Sequence, residues 1–178
     1  MDKDLKYPIG KPIIPPNITQ VLIAEWIHII ENFPNHLENL VKCLSENQLN
    51  TTYREQGWTI KQVIHHCADS HLNSYIRFKW ALTENEPTIE PYYEDRWAEL
   101  FDSKDADITI SLNLLKSLHT KWVYLMKGLT EVELNRVFIH PSGTKIVTLK
   151  ENIGIYAWHC NHHYAHISNL VTSKKWNS

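Results

Sequence analysis

Cysteine is scarce in this 178-residue chain: Cys43, Cys67 and Cys160 are an odd number, with no Cys-x-x-Cys pair among them. That excludes a disulfide framework and a zinc ribbon, and it makes a reducing cytoplasm the expected setting. No charge excess of either sign is present, because 18 basic and 20 acidic residues leave a net charge of -2. Such a balance gives no electrostatic footprint for nucleic acid or an anionic membrane. No apolar run approaches the roughly 20 residues a membrane helix needs. The first residues, Met1 to Pro8, lack the apolar core of a signal peptide. There is no internal repeat, no low-complexity tract and no His-Glu-x-x-His motif. What remains is a chain of one-domain length, 1–178, with enough apolar residues for a real core.

Helical periodicity fills most of that length. Residues 1 to 18 hold Pro8, Pro12, Pro15 and Pro16 and are expected to form an extended arm. Thr19 caps a predicted helix carried by Val21, Leu22, Trp26, Ile29, Ile30 and Phe33, with Pro34 as a kink or restart before Leu37, Leu40, Val41 and Leu44. Residues 46 to 57 read as a polar connection. A second helix is predicted from Thr59 to about Thr83, a third from Ile108 to Gly128 and a last from Leu149 to about Thr172. Between them lie an acidic, Tyr-containing loop, 84–95, and a short helical piece around Trp97 to Phe101. A hairpin-like stretch, Val137 to Thr148, turns at Pro141-Ser142-Gly143. The expected fold is all-α, a four-helix bundle with long connections and not a simple up-down one.

Histidine is abundant where cysteine is not. Residues 159 to 166 carry four: His159, His162, His163 and His166. On a helix, residues four apart stand one above the other about 6 Å apart, so His162/His166 and His159/His163 are each able to chelate one ion. A second cluster lies at His65, His66 and His71. Two clusters on separate helices suit a three-histidine site that leaves a transition metal an open position. A helical wheel at 100° per residue puts Ile60, Val63, Ile64, Cys67, Phe78 and Leu82 on one stripe, with His71 inside it. His66 falls in a polar lane with Asp69, Asn73 and Arg77, which makes it the ligand-like member and the three polar residues candidates to orient a bound group. On the last helix Ile153, Ala157, Cys160, Tyr164, Ile167 and Val171 form a stripe opposite His162 and His166. The wheel leaves the two histidine pairs undecided. A helix with two functional faces must be covered on both, and a second subunit is one cover.

Not every histidine is read as a ligand. His28, His36, His71, His119 and His140 are expected to be hydrogen-bonded structural residues, and Cys67 and Cys160 small buried hydrophobes. The 84–95 loop is read as a lid or a solvated linker, with Tyr92 and Tyr93 favouring something packed.

Long runs resemble a known family. Tyr7-Pro-Ile-Gly-Lys11, Gly57-Trp-Thr59, Val63 to His71, Asn73 to Lys79, Ala81 to Glu84, Trp97 to Leu100 and Tyr156-Ala-Trp-His159 are similar to the YfiT-type metal-dependent hydrolases, a branch of the DinB-like superfamily. The resemblance covers nearly the whole chain. It implies a four-helix metalloprotein that binds one divalent metal, zinc first and nickel second, and forms a homodimer. It also implies His66, His162 and His166 as ligands. Some of the same group are described as bacillithiol S-transferases. Three readings follow: a hydrolase acting on a small molecule, a metal-dependent thiol S-transferase, and a non-catalytic metal-binding module.

Overall fold

The computed structural model describes residues 5–141 and 145–176. Four long helices form its frame: α1 (Gln20–Val41), α3 (Ile60–Thr83), α6 (Ile108–Lys127) and α8 (Leu149–Ser173). Each begins at a residue whose side chain accepts a hydrogen bond from the first turn: Thr19, Thr59, Asp107 and Thr148. At Thr59 and Thr148 the third helical residue, Gln62 or Glu151, closes a capping box by accepting from the cap's own N–H. Pro34 does not restart α1; the helix runs through it.

The long helices pack α1 on α8 and α6, and α3 on α6 and α8. Around the bundle the order is therefore α1, α6, α3, α8, so helices successive along the chain stand on a diagonal twice, α1 to α3 and α6 to α8. The expectation of a bundle that is not up-down holds. One apolar core fills it, with Ile30, Leu37, Ile60, Ile64, Phe78, Leu115, Trp122, Ile153 and Ile167 all inaccessible.

The connections hold more structure than periodicity showed. Within the expected polar connection lies α2 (Glu46–Leu49), with its own Ser45/Gln48 capping box and a Glu46–Lys61 ion pair to α3. In place of one short piece there are α4 (Glu94–Trp97) and α5 (Phe101–Lys104). A further turn, α7 (Glu131–Leu134), is capped by Thr130 and Glu133. The predicted hairpin is present as β1 (Val137–His140) paired antiparallel with β2 (Lys145–Thr148), Val137 opposite Thr148; its Ser142-Gly143 turn lies outside the described residues. The 84–95 segment is not a solvated linker. Ile89 N–H donates to the Ile139 carbonyl at 3.0 Å, Ile139 N–H donates to Pro87, and Ile89 is buried.

Candidate metal centre

His66 sits two turns into α3, and its ring packs on Trp58 at 4.6 Å between centroids. His159 and His163 lie one turn apart on the facing side of α8, with centroids 4.4 Å apart. They approach His66 to 5.3 and 4.8 Å, and His66 Nε2 is 3.3 Å from His159 Nε2. One ligand nitrogen from each of the three lies within 4.8 Å of the others. A tetrahedral zinc with Zn–N near 2.05 Å needs ligand nitrogens about 3.3 Å apart, so the His66–His159 edge has the right length.

A second group, His162, His163 and His166, also has its nitrogens within 4.8 Å. The set that the family resemblance implies, His66 with His162 and His166, is thus divided: His66 groups with His159 and His163, and His162 and His166 fall in the other triad. Packing explains the difference. The His162 ring stacks on Trp158 at 4.3 Å, with Tyr7 of the arm beyond it, and the His166 ring stacks on Tyr53 at 4.0 Å. His166 Nε2 donates to the Lys6 carbonyl at 3.2 Å, and its Nδ1 meets His163 Nδ1 at 3.4 Å. Among the described residues His162 Nδ1 is buried without a hydrogen-bond partner. The opposite face of α8 is covered by the chain's own arm, where Trp158 Nε1 donates to the Gly10 carbonyl at 3.1 Å. The two-sided helix therefore gives no reason to expect a second subunit.

Burial keeps these imidazoles in the form a metal needs. Desolvation holds His66 down to about 3, with the neighbouring His162 and His166 adding repulsion, and holds His162 and His166 down to about 4. His159 and His163 are pushed well below the usual range for the same reason, loss of water around the charged form. All five are neutral at pH 7 with a lone pair to offer.

A cavity of about 760 Å³ opens over the cluster, with Tyr92, Trp158 and Arg77 among its walls. Of the three candidates for orienting a ligand, Arg77 alone lines it. Asp69 lies beside Asp102, and burial together with that second carboxylate raises its pKa to about 6. Asn73 Nδ2 donates to the Asp69 backbone carbonyl at 2.9 Å, and no Arg77–Asp69 ion pair forms. The wheel placed these residues in one lane but not at one depth.

A run from residue 29 to residue 167 matches the model of the DinB superfamily. The chain belongs to the DinB superfamily. This DinB protein is 49% identical over 171 residues to a candidate metal-dependent hydrolase of Oceanobacillus iheyensis, covering 96% of this chain and 98% of that one. It is 46% identical to the candidate metal-dependent hydrolase YfiT of Bacillus subtilis, covering 97% of both. The solved structure of YfiT, described as a probable metal-dependent hydrolase with an unusual four-helix bundle topology, superposes with a TM-score of 0.95 over 97% of this chain and 99% of that one. The diagonal helix order of this DinB chain agrees with that description of the bundle.

Of the two histidine pairs that helical spacing allows on α8, His159 and His163 are the ones that lie against His66. Sequence reasoning missed Trp58 and Tyr92 as neighbours of His66, the latter at 6.5 Å between centroids. Gly57-Trp-Thr59, immediately before α3, was the available signal for Trp58. Cys67 and Cys160 are buried in the core as expected, their thiols pushed up by burial.

Proposed function

We propose that this chain is a metal-dependent hydrolase acting on a small molecule, with one divalent transition metal, zinc first and nickel second, held by His66, His159 and His163. The observation that carries the reading is the 3.3 Å approach of two neutral Nε2 atoms, with His163 beside them, at the floor of a 760 Å³ cavity. Such an ion supplies Lewis acidity, which activates a nucleophile near neutral pH. The chain's residues contribute the three neutral ligands, the aromatic wall of Trp58 and Tyr92, and the Arg77 guanidinium, which suits an anionic group on the substrate.

The test is metal analysis of protein purified without a histidine tag. His66→Ala, His159→Ala and His163→Ala should each remove most of one ion per chain, while His162→Ala and His166→Ala retain it. Loss on the latter two and retention on His159→Ala and His163→Ala would restore the set that the family resemblance implies.

Thiol S-transfer is the second reading, favoured by the absence of any carboxylate from either histidine triad among the described residues. A general base is dispensable where the nucleophile is a thiol, which ionises far more readily than water. Ester, amide and phosphoester panels, run beside a thiol with an electrophile panel, separate the two; metal-retaining protein silent on all of them is a binding module. The homodimer implied by the resemblance is part of the proposal, and sedimentation should report twice the 20.9 kDa chain. The three unpaired thiols suit a reducing cytoplasm.

A further inference from the structure

A neutral imidazole has one N–H and one lone pair, so a row of hydrogen-bonded imidazoles has a direction, set by whatever group ends it. Such a row starts at α1. Pro34 has no N–H, so the Ile30 carbonyl four residues earlier receives no helical bond from it. His119 of α6 takes that oxygen, its Nδ1 at 2.6 Å. A carbonyl only accepts, hence His119 Nδ1 carries the proton and Nε2 is the lone pair. His119 Nε2 lies 2.7 Å from His71 Nδ1, which must donate. His71 Nε2 is then the lone pair, 3.0 Å from His159 Nδ1, which donates in turn. His159 is left with an unprotonated Nε2, the atom that faces His66 Nε2 at 3.3 Å. Run in reverse, the row would press the His119 lone pair against the Ile30 oxygen.

We propose that His71 and His119 are positioning residues for the metal: with the carbonyl freed by Pro34, they fix His159 as its Nδ1–H tautomer and turn Nε2 toward the ion. The row passes through α1, α6, α3 and α8, each beside the next in the bundle, so the far side of the molecule sets the state of a ligand. His71 and His119 are buried at 0% and 2% exposure, which keeps water from substituting for either partner. The role in metal binding rests on the assignment of His159 as a ligand; the tautomers do not.

The test begins with metal-free protein carrying ¹⁵N-labelled histidine, at a pH above 7. Two-bond nitrogen–proton correlation spectra should show His71, His119 and His159 all in the Nδ1–H form, the minor tautomer of a free histidine side chain in water. In His119→Leu, His159 should gain Nε2–H character, and zinc affinity measured against a chelator should fall about tenfold, the lower end for an outer partner of a ligand histidine. His119→Gln, whose amide oxygen can accept from His71, should recover most of both. Nε2–H at His159 in the unaltered protein overturns the proposal, and needs no variant to fold. So does His119→Leu with unchanged tautomers or unchanged zinc affinity. Zinc retained by His159→Ala would instead sink the ligand assignment and leave the tautomers standing.

Discussion

His162 and His166 are held by flat neighbours, Trp158 and Tyr53, and for that reason should tolerate another ring. His166→Phe is expected to keep metal content near one per chain and to lose little stability, whereas His159→Phe should lose the metal; elemental analysis with denaturant melts checks both. The thiols sort the same way by burial. Cys43 is exposed, so native protein should react quickly with one equivalent of a thiol reagent, and with three only after unfolding. Acid acts on the histidines as a group. Their folded pKa values lie below the ordinary 6.5 or so, hence the unfolded chain binds more protons and stability falls as pH drops. For metal-free protein the loss should begin as pH passes below about 6.5 and continue toward 4. Urea midpoints from pH 8 to 4.5 measure it, and a flat profile would mean that the rings are hydrated.

Among the elements, α8 shows how packing reverses an ordinary preference. Gly154 lies inside that helix, where alanine normally gains about 1 kcal/mol. A methyl group there would stand 2.8 Å from the Trp26 ring and 2.9 Å from Ile14. Gly154→Ala should therefore destabilise, by roughly 1–3 kcal/mol as in other overpacked sites. The 84–95 segment is likewise decided by one side chain. Ile89→Ala leaves a hole under the backbone that carries Tyr92 to the cavity, and is expected to cost about 2–4 kcal/mol in thermal or urea unfolding. A loss below about 0.5 kcal/mol would favour a solvated linker over a packed segment.

At the scale of the whole molecule, the arm and the bundle divide the labour. Tyr7, Gly10 and Ile14 reach α8 across 140 residues or more and close the face that bears His162. Removing the arm through Lys11 should lower the melting temperature and leave metal binding at one ion per chain, because the contacts of its described residues go to His162, His166 and Trp158 and not to the proposed ligands. The sequence by itself determined a great deal: the cap at Thr19, the helix starts at Thr59 and Leu149, the core stripes with their two cysteines, and the hairpin. Those are local or periodic properties, legible at 100° per residue. Which pair on α8 meets His66 was not among them. His159/His163 and His162/His166 differ by three residues, about 60° of rotation on the helix, and that angle is set by how α8 lies against α3 and by the arm that claims the other pair. His71 and His119 were read as structural histidines, which their burial supports. Only the order of helices around the bundle lined them up between a proline-freed carbonyl and His159, since hydrogen bonds that join four helices have no signature in the spacing of any one.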